Sequence, residues 1–164
     1  MRDKKVLFLV QSAAIAAIYV VLTVVFAPFS FGEIQVRISE ALTILPFFTP
    51  AAIPGLFVGC LIANTLGGAI PLDIIFGSLA TLIGAVFTYL LRNKSRYLAP
   101  VPPILANILI VPAVLRYGYG VNLPIPFMMV TVGIGEVISC AILGMIVLLA
   151  LDRYKGTIFK QAAL

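Results

Sequence analysis

The sequence predicts an all-α integral membrane protein, a bundle of six transmembrane helices in a single domain. The chain has 164 residues, of which 62% are hydrophobic and 10% are charged, and its mean hydropathy is +1.18. So little polar surface cannot cover a water-soluble globule. The apolar segments are far longer than the roughly ten alternating residues of a transmembrane β-strand, and a helix satisfies its own backbone hydrogen bonds in lipid.

Six apolar segments are long enough, or nearly so, to cross a bilayer. Pro46, Pro50 and Pro54 interrupt the second and third segments, which favours short or kinked helices there. We expect one membrane domain over residues 1–164. The predicted spans are about 6–28, 41–55, 55–70, 72–91, 100–117 and 126–151.

The distribution of basic residues predicts the orientation of the chain. Nine of the eleven Lys and Arg residues fall before the first predicted span, after the fourth or after the sixth, and with six spans these segments share one face. Because positively charged segments stay in the cytoplasm, both termini are expected to be cytoplasmic, with Arg37 and Arg116 on the outer side. This topology accounts for the net charge of +5. The basic residues therefore do not indicate the clustered basic face of a nucleic-acid-binding protein.

The first predicted span carries a pattern of small residues. Its apolar run is about 20 residues or more, longer than the core of a secretory signal, so we expect an uncleaved first helix. Ala13 and Ala17 lie on one face of this helix, where two backbones can approach closely. That face either packs against another helix of the same chain or docks a partner membrane subunit.

A short polar island follows the first span. Glu33, Arg37 and Glu40 lie between two long apolar runs, so we expect their charges at a membrane boundary or in a cavity. Residues 33–39 alternate polar and apolar side chains, which suits a short extended segment that acts as a lid. The alternative is an interfacial salt bridge between Glu33 and Arg37 on a helical turn.

Further polar residues fall at the outer side or inside a span. Asn64 ends the third predicted span and Asp73 begins the fourth, whereas Glu136 lies well inside the sixth. A carboxylate at that depth costs about 2.5–3.5 kcal/mol unless it has a partner. Glu136 therefore either pairs with Asn107 or Arg116 within the protein, or serves as a ligand-binding group.

The sequence lacks the motifs of common catalytic centres. It has no glycine-rich phosphate loop ending in Gly-Lys-Ser/Thr, no His-Glu-x-x-His and no Gly-x-Ser-x-Gly. Cys60 and Cys140 lie within predicted spans, where a cysteine ordinarily acts as a small hydrophobic residue. The cysteines suggest neither a disulfide nor a metal site, and the absence of histidine weakens most metal hypotheses further. We expect no cofactor. We also expect that the chain is not an enzyme.

Two stretches of the chain resemble a known family. Residues 35–64, QVRISEALTILPFFTPAAIPGLFVGCLIAN, and residues 73–84, DIIFGSLATLIG, closely resemble the QueT family, and the resemblance covers nearly the whole chain. Members of this family are substrate-binding S components of energy-coupling factor (ECF) transporters, assigned to queuosine precursors. The resemblance implies the six-helix S-component fold, with the loop after the first helix as a gate. It also implies that Ala13 and Ala17 meet the shared transmembrane T subunit.

The same resemblance implies a function in the plasma membrane. The chain would bind its substrate from outside at high affinity, while two cytoplasmic ATPases supply energy through the T subunit. The substrate would be a 7-deazaguanine such as the pre-queuosine base, or queuine. Such a base presents an imino N–H and an exocyclic amine side by side, which one carboxylate can accept together. We expect Glu136 to be the main reader of this edge, with Asp73 as the alternative.

Other groups of the proposed ligand call for further partners. An aminomethyl substituent adds an ammonium, for which Glu40 and Glu33 are the candidate carboxylates. We expect Asn64 and Asn107 to read the carbonyl or the ring edge of the base. Arg37 is a candidate to neutralise Glu40.

Two other interpretations remain open. The chain could be an S component for another vitamin-like molecule, because the scaffold is shared and the pocket decides the substrate. It could also be a self-contained carrier or channel, which would transport in liposomes without ATP. A membrane enzyme that acts on a lipid or isoprenoid head group would carry a clustered acidic metal motif such as Asp-x-x-Asp, which the sequence lacks.

Overall fold

The computed structural model describes residues 2–30 and 36–159, which form helices joined by short turns and contain no β-strand. The helices, in chain order, are α1 (Arg2–Val25), α2 (Ala27–Ser30), a 3-10 helix (Ile38–Phe47), α3 (Ala52–Leu66), α4 (Pro71–Leu91), a 3-10 turn (Arg96–Leu98), α5 (Val101–Tyr117), α6 (Ile125–Glu136), a π-helical stretch (Val137–Leu143), α7 (Gly144–Asp152) and α8 (Lys155–Ile158).

Four helical segments in the described part of the chain are long and apolar enough to cross a bilayer. They correspond to the first, fourth, fifth and sixth predicted spans. The prediction of an all-α membrane protein is therefore confirmed, while the count of six spans and the orientation of the termini stay predictions. The four segments are Asp3–Val25, Pro71–Leu91, Arg96–Tyr117 and Ile125–Asp152.

The second and third predicted spans, 41–55 and 55–70, form short helices, as the prolines predict, but the bounds of both are shifted and the first of the two is a 3-10 helix. They form the 3-10 helix and α3, which have ten and fifteen residues. Pro46 lies inside the 3-10 helix, and Pro54 lies in the first turn of α3. Proline lacks an amide donor and crowds the preceding turn, so a long regular α-helix cannot form across this region.

The two short helices form a hairpin alongside α1. At one end of the 3-10 helix, Thr23 donates a hydrogen bond to Ser39 at 2.7 Å. Just beyond its other end, Thr49 bonds the Gln11 side chain at 3.3 Å, so the chain runs antiparallel to α1 between these contacts. A 3-10 helix rises about 2.0 Å per residue, against 1.5 Å in an α-helix, so its ten residues extend roughly 20 Å along the helix axis. Helix α3 then reverses direction and runs parallel to α1.

Glycines allow the close contact of α3 with α1. A Cβ atom placed on Gly55 would lie 2.7 Å from the Ser12 carbonyl oxygen, and one on Gly59 would lie 3.1 Å from Ala16 Cα. Neither position can hold a larger residue without separation of the helices. This contact fixes the position of the α1 residues along the helix axis relative to those of α3.

The 3-10 helix lies inside the bundle. It packs against α1, α3, α4, α7 and the π-helical stretch, while α5 packs between α4 and α6. Ile44 of the 3-10 helix is fully buried, and its Cγ2 would be 3.1 Å from a Cβ atom on Gly144 at the start of α7. This central position places the polar residues at the start of the 3-10 helix in the interior of the protein.

Candidate ligand-binding site

Glu40 lies in a buried polar cluster. It stands in the first turn of the 3-10 helix, and only 1% of its surface is exposed. The Tyr19 hydroxyl, in α1, donates a hydrogen bond to Glu40 Oε1. Thr43 donates to the Glu40 carbonyl oxygen at 2.6 Å. Helix α1 therefore orients the carboxylate, while the 3-10 helix fixes its backbone.

Glu136 reaches the same cluster from α6. It is the last residue of α6, is 6% exposed, and is followed by the π-helical stretch. The Cys140 thiol donates to Glu136 Oε2 at 3.3 Å and lies 3.4 Å from Thr43 Oγ1, which connects this stretch to the 3-10 helix. Short π-helical segments occur frequently at functional sites, and this one widens the turn that carries Cys140.

Two carboxylates and a thiol meet in this cluster. One ligand atom from each of Glu40, Glu136 and Cys140 lies within 4.8 Å of the other two, and all three residues are buried. Two carboxylates this close in a low-dielectric interior repel each other, so the pair favours a proton or a cation. The donor set suits either a metal ion that accepts sulfur and oxygen or the N–H groups of an organic cation.

A second polar group surrounds Asp73 in the first turn of α4. Tyr119 donates to Asp73 Oδ2 at 2.9 Å, and Arg37 Nη2 lies 4.0 Å from the same oxygen. Asn64 of α3 donates to the Asp73 carbonyl oxygen at 3.4 Å. These contacts connect the residue before the 3-10 helix, the end of α3 and the α5–α6 turn to the start of α4.

The neighbours of Arg37 and Tyr119 set the charges of this second group. Burial opposes the charge of Arg37, but the surrounding acidic groups, including Asp73 and Glu40, outweigh it and raise the Arg37 pKa. The guanidinium therefore stays protonated. Partial desolvation of its hydroxyl and then the Asp73 carboxylate raise the pKa of Tyr119, a residue that is 43% exposed, so its hydroxyl remains a hydrogen-bond donor at neutral pH.

Several buried polar atoms have no hydrogen-bond partner among residues 2–30 and 36–159. They include two oxygen acceptors, an amide donor and a hydroxyl. Asn107, which carries the amide donor, still interacts through its side chain with the Glu136 carboxylate, as predicted, without a well-formed hydrogen bond. Each such atom costs about 1–3 kcal/mol when it is left unpaired. The cluster therefore has unused capacity for a polar ligand. The atoms are Glu40 Oε2, Asn64 Oδ1, Asn107 Nδ2 and Ser139 Oγ.

Comparison with known proteins assigns the chain to a family. The sequence model of the family described as QueT transporter matches residues 9–153. The chain belongs to the QueT transporter family. A relative from Lactococcus lactis subsp. cremoris (strain MG1363), named queuosine precursor transporter QueT, is 38% identical over 85 residues. That alignment spans 51% of this chain and 50% of the relative. No solved structure matches the chain.

Most of the predicted ligand-binding residues of this QueT-family chain lie in the two polar groups. Glu33 lies outside the described residues, and so does the predicted Glu33–Arg37 pair. Arg37 forms an ion pair with Asp73 and also contributes to the electrostatic surroundings of Glu40. Arg116 bonds the Val121 carbonyl and the Asn122 side chain at 3.3 Å each, in the α5–α6 turn. The buried predicted residues are Arg37, Glu40, Asn64, Asp73, Asn107 and Glu136.

The small residues of α1 divide between two faces. Ser12 and Ala16 contact the glycines of α3, which is packing within the chain. Ala13 and Ala17 are exposed, on a face that the described helices leave uncovered. Of the two possibilities for Ala13 and Ala17, the structure therefore gives no support to packing within the chain.

Sequence reasoning does not find Tyr19 or Cys140. A tyrosine hydroxyl in the middle of an apolar span needs a partner, and this signal could have marked Tyr19. Cys140 carries only its spacing of four residues from Glu136, which places the two on neighbouring turns. Tyr119 is one of several aromatic residues near helix ends, and only its contact with Asp73 distinguishes it.

Proposed function

We propose that this chain is the substrate-binding S component of an ECF-type importer for queuosine precursors. Membership of the QueT transporter family supports the transport class, and the name of the Lactococcus lactis relative, queuosine precursor transporter, supports the substrate. The observation that carries the proposal is the buried polar cluster, which combines acidic groups with unpartnered donors and acceptors. A small polar heterocycle would satisfy these atoms.

Glu136 is the residue that we assign to the purine edge of a 7-deazaguanine. Its carboxylate would accept the imino N–H and the exocyclic amine, while the Asn107 amide beside it would donate to the ligand carbonyl. Asn64 Oδ1 is a further acceptor for a ring N–H. Asp73 is the weaker candidate because Tyr119 and Arg37 already contact its carboxylate.

The remaining parts of the proposal concern the membrane and the partner subunits. The two short helices would complete a six-helix bundle in the plasma membrane, with both termini cytoplasmic as the basic residues predict. The exposed Ala13 and Ala17 on α1 would contact the transmembrane T subunit, because small residues allow close helix approach in lipid. Two cytoplasmic ATPases would supply the energy, and the chain itself would hydrolyse no ATP.

Calorimetric titration of the detergent-purified chain tests the substrate assignment. The ligands are the pre-queuosine base, queuine, guanine and a panel of vitamins. We expect binding in the nanomolar range for a deazaguanine and no binding for guanine. Binding of a vitamin alone would assign the chain to another S-component specificity, and absence of binding by folded, ligand-free protein would contradict the substrate proposal.

The variant Glu136→Gln tests the role of this carboxylate. Loss of a charged hydrogen bond costs about 1.5–3 kcal/mol, so the affinity for the deazaguanine should fall roughly 10- to 150-fold. The matched control is Asp152→Asn, because Asp152 is paired with Lys155 at the surface end of α7. An affinity of Glu136→Gln within about twofold of the wild type would refute the assignment.

A further inference from the structure

We infer that Glu40, Glu136 and Cys140 form a buried site for a divalent metal ion of the Zn²⁺ type, which competes with the organic ligand. One carboxylate or thiol atom from each residue lies within 4.8 Å of the other two, and all three residues are buried. The metal site itself is independent of the proposed function. Its competition with a ligand rests on that function, which assigns Glu136 to the deazaguanine.

The three donor groups are ones that Zn²⁺ accepts in proteins. Zn²⁺ binds cysteine sulfur at about 2.3 Å and carboxylate oxygen at about 2.0–2.2 Å, usually with four ligands in a tetrahedron. The absence of histidine from the chain therefore removes one type of ligand and leaves two. A thiolate favours such an ion over Mg²⁺ and Ca²⁺, which prefer oxygen ligands. Three protein ligands leave the fourth position to water or another small molecule.

The spacing of the donor atoms is close to that of a metal site. With these bond lengths, neighbouring ligand atoms of a tetrahedral site are roughly 3.3–3.7 Å apart. Cys140 Sγ lies 3.3 Å from Glu136 Oε2, which is already this spacing. The Glu40 carboxylate lies within 4.8 Å of both, so a small rotation of its side chain would complete the set.

The second oxygen of Glu40 is an independent indication of a ligand. Only 1% of the Glu40 surface is exposed, and the Tyr19 hydroxyl bonds Oε1. Oε2 is buried with no hydrogen-bond partner in the described part of the chain. A buried carboxylate oxygen without a partner is unfavourable, and a metal ion would supply one. Tyr19 therefore orients the Glu40 carboxylate and leaves one oxygen for the metal.

The charge of the buried region also favours a divalent ion. Among the described residues, the carboxylates of Glu40, Asp73 and Glu136 and the guanidinium of Arg37 are buried. When these groups are ionised, three negative charges and one positive charge leave a net charge of −2. As the sulfur–metal bond forms, the Cys140 thiol loses its proton to solvent. The metal-bound region then carries a net charge of −1, so the metal reduces the imbalance.

Metal titration of the detergent-purified, EDTA-treated chain tests the site without any organic ligand. Because the chain has no histidine, a purification tag without histidine keeps the background of metal binding low. We expect calorimetry to show one Zn²⁺ bound per chain, and Cd²⁺ to bind with the ultraviolet charge-transfer absorption of a metal–thiolate bond. Absence of Zn²⁺ binding by the folded wild type, or Cd²⁺ binding without this absorption, would overturn the inference.

The two cysteines provide a matched pair of variants. Cys140→Ser should bind Zn²⁺ more than about 100-fold more weakly, because loss of a group that only orients a metal ligand already costs roughly 10- to 100-fold. Cys60→Ser should bind Zn²⁺ as the wild type does, because Cys60 Sγ bonds Thr81 and Asn64 at 3.5 and 3.6 Å and lies outside the set of three donors. Equal affinities of Cys140→Ser and the wild type would refute the site.

Circular dichroism of the metal-free variants reports whether they fold. Glu40→Gln is the second test of the site, because its side-chain oxygen can still accept the Tyr19 hydrogen bond while the carboxylate is lost. This variant should also bind Zn²⁺ much more weakly than the wild type. Wild-type affinity in folded Glu40→Gln would contradict the assignment of Glu40 as a metal ligand.

Titration with the pre-queuosine base in the presence of Zn²⁺ tests the competition. At about 100 times the Zn²⁺ Kd, the apparent affinity of the wild type for the base should fall roughly 100-fold, because the bound metal occupies Glu136. The same Zn²⁺ concentration should change the affinity of Cys140→Ser for the base by less than about twofold. An affinity of the wild type that Zn²⁺ leaves unchanged or raises would overturn the competition. If the base does not bind the metal-free wild type, the proposed function fails, and the metal titration still decides the metal site.

Discussion

Neighbouring alanines of α1 should respond in opposite ways to the same substitution. Ala16 is 8% exposed and lies against α3, where a Cβ atom on Gly59 would be 3.1 Å from both its Cα and its carbonyl oxygen. Ala17 is exposed on the adjacent face. Leucine at either position keeps a good helix former, so the difference between the two variants reports packing and not helix propensity.

The expected magnitudes follow from these contacts. Ala16→Leu inserts three carbon atoms where α3 leaves no room, and such overpacking costs about 1–3 kcal/mol. For a chain of this size, 1 kcal/mol corresponds to about 2–4 °C, so the unfolding temperature should fall by roughly 2–12 °C. Ala17→Leu adds apolar atoms to an exposed surface of α1, and its effect on stability should stay within about 0.5 kcal/mol.

Thermal unfolding and capture of the T subunit together check this prediction. The chain has no tryptophan, so unfolding of the detergent-purified variants is followed by circular dichroism. Ala17→Leu should keep its unfolding temperature and its ligand affinity but lose capture by the T subunit. If Ala17→Leu were destabilised as much as Ala16→Leu, the assignment of the two faces of α1 would be wrong.

Two further predictions concern α4 and the α5–α6 turn. Gly84→Ala should lower the unfolding temperature by several degrees, because a Cβ atom there would lie 2.7 Å from Pro103 Cα. The control is Gly156→Ala, where a Cβ atom would meet no other atom within 4 Å. Equal effects of the two substitutions would contradict the close contact at Gly84. Partial desolvation and the Asp73 carboxylate raise the Tyr119 pKa above its ordinary value of about 10, so the folded state holds this proton more tightly than the unfolded chain does. Stability should therefore fall as the pH rises from about 10 through the raised pKa, and unfolding temperatures between pH 8 and 11 should fall less steeply for Tyr119→Phe than for the wild type.

The long helices could be predicted from the sequence because each buries its backbone polar groups within a single apolar run. The predicted span 72–91 corresponds to α4 at Pro71–Leu91, and the span 100–117 corresponds to α5 at Val101–Tyr117. The type and bounds of the helices in region 41–70 could not be predicted in the same way. Hydropathy does not distinguish a 3-10 helix with Pro46 inside it from a short α-helix, and only the packed bundle defines its depth.

The candidate site was predictable where a single residue carries the signal. A carboxylate inside a span needs a partner, which marks Glu136 from the sequence alone. The partners themselves depend on tertiary packing. Tyr19 and Glu40 are 21 residues apart in the chain, and Glu40 and Cys140 are 100 residues apart, so no local pattern relates them. Their meeting follows from the position of the 3-10 helix between α1 and the π-helical stretch.

Uptake into liposomes tests the central claim of an S component most directly. The purified chain is reconstituted alone, and also with the T subunit and the two ATPases, and accumulation of a radiolabelled 7-deazaguanine is measured with and without ATP. We predict that the chain alone binds the ligand but accumulates none, and that accumulation requires both the partner subunits and ATP. Accumulation by the chain alone, without ATP, would contradict the account and identify a self-contained carrier.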